Sequence, residues 1–429
     1  MEVYRQRELL PGIRLCCVQT DRFRRAVFSV SFLRPLRREE AAKNALLMHV
    51  LARGSRACPD MQRFRAACQE AWGAEVEPSL RQYGEVMAIG LRAAFPEESW
   101  LPENSRELEK VIRLVSDLCL DPDTRGGLLR NENVLPERRS LADRIRAAVN
   151  DKQSYALYRA RALMCPEEDY GVFPLGRAEE AEKITHLHLT RHYQQVLAES
   201  PVRLFYCGSA PFDRVREAVL EAFQTLSGNT ERYVPETEIR DSAAVLRSET
   251  EVMAVEQGKL VLGCRLGGYI DPEEQPVLEV FNRYFGASHN SRLFRELRER
   301  RSLCYSVASG YDVHKAVFSV RAGIAFDRLD EVTEAVLMEL DRCRECDFSP
   351  EDLETARRSA ASAYGLLEDS GESLDTFYLG QDLLDCGAKP AELGALALEV
   401  TPEEAARMAQ RVQPELLYFL RGPEKEAEA

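Results

Sequence analysis

A chain of 429 residues with 57 Lys and Arg against 71 Asp and Glu is too long for one ordinary core. Its net charge of -14 argues against a nucleic-acid partner, whose affinity rests on clustered cations. Hydrophobic residues at 45% and charged residues at 30% fit a globular protein. No run approaches the ~18 apolar residues of a membrane span. The N-terminal MEVYRQRELLPGIRL lacks a signal-like apolar stretch. The 12 scattered Cys read as reduced thiols of a cytoplasmic protein.

In chain order, Ile13–Val18 and Ala26–Leu33 are short apolar runs and predict strands. Glu39–Arg53 has helical periodicity, and Gly54 predicts a cap just past its end. A second helix is expected over Met61–Trp72 and a strand over Val86–Ala93. Leu108–Val149 is a long helical region, broken near Asp121-Pro122 and Gly126-Gly127. Helix, strand and helix follow at Leu189–Ala198, Val202–Cys207 and Val215–Leu226. The polar stretch at 228–246 reads as an interdomain linker. Beyond it come a strand at Lys259–Arg265, helices at Gln275–Phe285 and Ser291–Arg300, and a strand at Val317–Ile324. Two long helices, near Arg328–Arg342 and Pro350–Glu368, precede a strand at Leu416–Leu420 and an acidic, frayed tail.

The order of elements repeats. Phe64-Arg65 matches Phe294-Arg295, and Gly90–Ala94 matches Ser319–Gly323, both at an offset of about 230. This predicts two homologous domains, 1–227 and 247–429, each large enough to bury its own core.

Ala45-Leu-Leu-Met-His-Val-Leu-Ala-Arg-Gly-Ser55 carries the chemistry of greatest interest. On a helix, positions 45, 48, 49 and 52 share one face. His, Glu and His at the first three would give two metal ligands and a base for bound water. Here they are Ala45, Met48 and His49. The plain reading of a lone His49 is a core histidine satisfied by a hydrogen bond.

These residues resemble the insulinase (pitrilysin) family of zinc peptidases, whose motif is H-x-x-E-H. The likeness extends to the Gly54-Ser55 ending and the duplicated domain order. In active members a downstream stretch, E-R-x-x-x-x-x-E-I, supplies a third ligand. Here it is Glu137-Arg-Arg-Ser-Leu-Ala-Asp-Arg-Ile145, which puts Arg144 at the ligand position, with Glu137 and Asp143 as alternatives. Thr20–Phe23, Pro35-Leu36 and Asp151–Ala156 resemble the non-catalytic YmfF-like branch of that family. The resemblance implies an α+β fold: two homologous domains, each a mixed sheet packed with helices, arranged as a clamshell.

The second half keeps a family signature, Ser291-Arg-Leu-Phe-Arg-Glu-Leu-Arg-Glu-Arg-Arg-Ser-Leu-Cys-Tyr-Ser306. In catalytic members an Arg and a Tyr seven residues later reach the zinc site, and they correspond to Arg298 and Tyr305. The plain alternative is a surface Arg and a half-buried strand Tyr. Arg301-Ser302 replaces the usual residue-Gly pair, which predicts an altered turn.

The resemblance therefore implies a non-catalytic subunit of a heterodimeric peptidase. Arg298 and Tyr305 act in trans, and zinc resides only in an H-x-x-E-H partner. No cofactor is expected in this chain, and a peptide is the expected substrate. Self-association of the isolated chain, as a homodimer, stays open. The alternative is a non-proteolytic peptide-binding or accessory protein, for example one tied to modification of a translation elongation factor.

Two other patterns look like metal motifs. His188 and His192 stand four apart but lack a following Glu, and Cys343-Arg-Glu-Cys346 lacks a second pair of ligands. Neither is expected to bind metal.

Overall fold

The computed structural model describes residues 3–102, 105–226 and 232–423. In chain order the elements begin with β1 (Val3–Leu10), β2 (Ile13–Gln19), β3 (Arg25–Pro35), α1 (Arg38–Leu51), α2 (Met61–Glu70), β4 (Glu75–Tyr83) and β5 (Val86–Pro96). Next come α3 (Glu107–Leu120), β6 (Thr124–Arg125), β7 (Leu128–Leu129), α4 (Asn131–Ala147), α5 (Lys152–Met164), α6 (Ala178–Ala181), α7 (His186–Glu199), β8 (Val202–Gly208) and α8 (Phe212–Ala222). After the irregular segment 232–246 stand β9 (Arg247–Val252), β10 (Gly258–Arg265), α9 (Gln275–Asn282), β11 (Cys304–Asp312) and β12 (Val317–Ile324). The chain closes with α10 (Leu329–Arg344), α11 (Pro350–Leu367), α12 (Gly371–Leu383), α13 (Pro390–Glu399), α14 (Pro402–Arg411) and β13 (Gln413–Arg421). The expected frayed tail at 424–429 lies outside the described residues.

The chain forms two compact units. They are not the contiguous halves 1–227 and 247–429. The first comprises 1–146, 172–236 and 369–380; the second comprises 147–171, 237–368 and 381–429. Each unit thus includes a segment from the other half of the sequence, α5 in one case and most of α12 in the other.

The first unit is built on a six-stranded mixed sheet of order β1-β2-β8-β3-β5-β4. Only β2 and β8 run parallel; the other neighbours are antiparallel. Along β3, alternate residues point to opposite faces. Phe28, Val30 and Phe32 join the main core with residues of α1, α3, α7 and α8. Val27 faces the other way, packing with Val18, Phe205 and Cys207 under Leu374 and Tyr378 of α12. Because both faces are covered, β3 reads as a nearly continuous apolar run. Asp375 anchors α12 there. It accepts from Ser29 Oγ at 2.9 Å and lies 2.9 Å from Arg81 Nη1 and 3.3 Å from Arg92 Nε.

The second unit repeats this plan. Its five-stranded sheet has the order β11-β12-β10-β13-β9, again with one parallel pair, β13 and β9. Read in the same direction, β11, β12, β10, β13 and β9 correspond to β4, β5, β3, β8 and β2, and only β1 has no counterpart. Phe281 of α9 and nearby Phe285 pack on Phe318 of β12, with ring centroids 5.6 and 6.1 Å apart. On the opposite face Ala156, Ala160 and Met164 of α5 meet Val261, Leu416 and Tyr418. A Cβ on Gly263 would lie 2.8 Å from Met164 Sδ, so glycine there lets the helix settle onto the sheet.

Behind α5 is a fully buried ion cluster. Arg265 pairs with Glu168 at 2.6 Å and Glu415 at 2.7 Å, while Lys315 Nζ lies 2.7 Å from Glu168. Burial raises the Glu168 pKa, but Arg265 and Lys315, which donate to it, bring it below the usual value, and Arg240 Nε lies 3.2 Å away as a third cation. The cluster ties 147–171 to β10 and β13, and no single stretch of sequence announces it.

Candidate functional site

α1 begins with Glu39 and Glu40, which suit the positive end of its dipole, and it is apolar along most of its length. Ala45 and Met48 are each only 3% exposed and belong to the main core. His49, on the adjoining edge, is half-buried. The helix ends at Leu51, earlier than expected, and Gly54 is not its left-handed cap. Glycine is required there because a Cβ would meet the Cys58 carbonyl oxygen at 2.5 Å. Gly126 and Gly127, by contrast, do take positive φ, and they turn the chain between β6 and β7.

α4 runs beside this helix and contributes Glu137 and Arg144, seven residues apart and so on one face. Arg53 Nη1 donates to Glu137 Oε1 at 2.7 Å, and Arg144 Nη1 lies 3.1 Å from His49 Nε2. A guanidinium can only donate, so Nε2 accepts and the ring proton sits on Nδ1. Burial holds the His49 pKa below its usual value, Arg144 lowers it further, and Glu137 partly compensates. His49 is therefore neutral and bonded to a neighbour, as a plain structural histidine would be.

These positions do not fit a divalent metal. Ala45 and Met48 offer no hard donor, the Nε2 lone pair of His49 is engaged, and the guanidinium of Arg144 repels a cation. The alternative ligands are also engaged: Glu137 with Arg53, and Asp143 with Arg146 at 3.7 Å. Among the described residues no group of three His, Cys, Asp or Glu could hold a metal ion. His192 is buried and bonded through Nε2 to Asn44 Oδ1 at 2.8 Å, while His188 is exposed. Cys343 is buried and Cys346 exposed; all 12 cysteines are free thiols.

In the second unit the segment from Ser291 forms a helix anchored by Leu293 and Leu297, both fully buried. From Phe294 to Arg300 it widens into a π-helix, as does Arg283–Ala287 before it. At its end Arg301 N donates to Glu296 O at 3.2 Å and Leu303 N to Leu297 O at 2.7 Å. Such widened turns are frequent at functional sites. Ser302 then adopts a left-handed φ of 50°. The turn thus keeps the backbone that glycine takes without strain, although a serine occupies it.

The arginines of this segment differ in their partners. Arg292 pairs with Glu339 and Asp347, Arg295 with Asp352, Arg300 with Glu296 and Arg301 with Glu331. Arg298 has no carboxylate partner among the described residues. Its guanidinium is exposed and lies 4.8 Å from the centroid of the Phe294 ring. It also lies near Cys304, whose thiol is pushed up to about 11 by burial, with Arg298 opposing the shift.

Tyr305 follows Cys304 in β11 and is 66% exposed. Cys304 stands opposite Ile324 and Ser306 opposite Gly323, so Tyr305 is the extra residue of a β-bulge. A bulge breaks the alternation of a strand and re-aims its side chain. Tyr305 and Ser306 are accordingly both exposed, between buried Cys304 and Val307. The π-helix and the bulge leave no signature in residue spacing, which is why the sequence predicts neither.

Residues 183–360 match the family model described as "Peptidase M16 inactive domain". The Bacillus subtilis protein "Probable inactive metalloprotease YmfF" is 28% identical over 422 residues, covering 96% of each chain. The chain is thus similar to M16 metalloprotease homologues described as inactive, in part by the family model and over nearly its whole length by the YmfF alignment. Solved structures agree on the fold. A conserved protein from Enterococcus faecalis has a TM-score of 0.86 at 23% identity, over 99% of both chains. A peptidase M16 inactive domain from Pseudomonas fluorescens has a TM-score of 0.78 at 13% identity, over 99% of this chain and 100% of that one. The insulinase resemblance of the sequence and its α+β class are thus established, including the likeness to YmfF. At the positions where the sequence resemblance puts the lost motif, Ala45, Met48 and Arg144, the side chains present are buried apolar groups and a cation.

Proposed function

We propose that this M16 homologue is the Arg/Tyr subunit of a two-chain peptidase. The partner carries H-x-x-E-H and the zinc, and this chain contributes Arg298 and Tyr305 in trans. The observation that carries the reading is the state of Arg298. It is the arginine of its segment left without a carboxylate among the described residues, seven residues before a tyrosine that a bulge turns to solvent. A Tyr hydroxyl can donate to the oxyanion that develops when a peptide bond is attacked. An Arg fork can hold a peptide carbonyl or carboxylate. These two groups bind and stabilise; attack on the bond needs the partner's water and base.

On this reading the chain needs no metal of its own, binds peptide rather than nucleic acid, and works in the cytoplasm. Its 12 free thiols support that compartment, and no described helix is long and apolar enough to cross a membrane. A pull-down from the native cell, with zinc measured on the complex, tests it. Recovery of an H-x-x-E-H chain with one zinc per pair is expected. Recovery of the chain with no M16 partner would favour the second reading, a protein that binds peptides and releases them uncut. The Arg144–His49 bond favours that reading for the first unit, because it leaves a stable, non-hydrolytic cation there.

A further inference from the structure

The cation at the lost metal site has a chemistry of its own. Arg144 is exposed, and one of its N–H groups donates to His49 Nε2 at 3.1 Å. A guanidinium has five such donors. Among the described residues no carboxylate pairs with it. The carboxylates around it are committed elsewhere: Glu137 to Arg53 at 2.7 Å, and Asp143 and Glu182 to Arg146 at 3.7 and 2.6 Å. Counting Arg53, Arg144 and Arg146 against Glu137, Asp143 and Glu182, the charges balance, and Arg144 is the one of these three cations without a carboxylate of its own among the described residues.

We infer that Arg144, held by His49, is a carboxylate-binding site on the α1–α4 face of the first unit, taking the C-terminal carboxylate or an acidic side chain of a peptide. The bond to His49 restrains a side chain that would otherwise lose rotamer freedom on binding, so less is lost when the ligand arrives. A guanidinium fork matches a carboxylate in a two-bond, planar contact. A phosphate is less suited, because phosphate sites gather several donors or a helix N-terminus, and this one has a single fork. A polyanion is disfavoured by the overall negative charge. His49 thus acts as a positioning residue: it fixes the fork and does not itself touch the ligand. The inference does not depend on a peptidase partner, so it stands or falls separately from the proposed function.

The test uses the full chain alone and three N-acetylated Gly/Ala hexapeptides: a free C-terminal acid, its C-terminal amide, and the amide with one internal Glu. Binding is measured by calorimetry for wild type, Arg144→Gln, Arg144→Lys and His49→Phe. The acid, the Glu peptide or both should bind wild type more tightly than the plain amide. Arg144→Gln should weaken that binding roughly tenfold or more, as expected for a lost charge-assisted bond. Arg144→Lys keeps the charge but loses the fork and should fall between. His49→Phe should weaken the same peptides without affecting the amide. Whichever of the acid and Glu peptides binds identifies the source of the carboxylate. Equal binding of all three peptides, no difference between wild type and Arg144→Gln, or no binding at millimolar peptide overturns the inference. Arg144 is exposed, so unchanged circular dichroism and melting of the variants should accompany either result.

Discussion

Acid should loosen the first unit through one residue, His192. It lies on α7, is buried, and is bonded to Asn44 of α1 at 2.8 Å. Burial, with Arg34 and Lys43 nearby, brings its pKa down from 6.5 to about 3. The neutral ring is therefore favoured in the folded state, and the unfolded chain takes up the proton first. The stabilisation is complete above pH 6.5 and is lost as pH falls toward 3. Each pH unit within that window corresponds to about 1.36 kcal/mol. From pH 7 to pH 5 the loss from this residue is about 2 kcal/mol. Urea unfolding of wild type and His192→Gln at both pH values isolates it, because the remaining titrating groups are common to both proteins. The Gln amide can still donate to Asn44, so the variant should fold but lack this pH dependence. The stability gap between wild type and variant should shrink by about 2 kcal/mol on acidification. A gap that does not change with pH would show that His192 is not held neutral, and the reasoning would fail.

Three further outcomes follow from the packing. Glu168→Ala leaves Arg265 and Lys315 buried without their shared carboxylate, and should cost about 3 to 5 kcal/mol by denaturant unfolding; a loss below ~1 kcal/mol would mean that water reaches the cluster. Ser302→Gly relieves a left-handed serine and should stabilise the chain by up to about 1 kcal/mol, since the relief of ~1–2 kcal/mol is partly offset by the freer unfolded glycine; destabilisation would mean that the serine side chain matters to the turn. Ala45→His alone should not bind zinc, whereas Ala45→His with Arg144→Glu should retain it through dialysis, because the second change removes the cation and frees His49 Nε2. Equal zinc content in the two variants would remove Arg144 as the obstacle.

The parts of the fold legible in the sequence are those where burial writes a simple pattern. β3, β8 and β10 are covered on both faces and appear as apolar runs. β1, β4 and β9 carry no such pattern, because all three are polar strands at sheet edges with exposed residues. The repeat was visible in Gly90–Ala94 and Ser319–Gly323, which occupy corresponding strands β5 and β12. The exchange of α5 and α12 was not visible, since sequence order alone cannot say which sheet a helix joins. Asp375 and Glu168, which fix those helices, find their partners at sequence separations far beyond any local pattern.

At the site, helical spacing puts Ala45, Met48 and His49 on one face and the resemblance marks them as a degenerate motif, but the contact between His49 and Arg144 depends on α4 lying beside α1. Arg298 and Tyr305 were legible only by resemblance. The features that distinguish them here, the lack of an ion partner among the described residues and a β-bulge, are tertiary.

The proposed function requires those two side chains to act on peptide in a complex. The direct measurement is peptide cleavage by this chain mixed with an H-x-x-E-H M16 chain from the same cell. Cleavage should require both chains, and Arg298→Ala and Tyr305→Phe should each lower kcat/KM by roughly a hundredfold, the scale of one lost transition-state donor, without disrupting the complex. Cleavage that proceeds at the same rate with either variant, or with the partner alone, would contradict it.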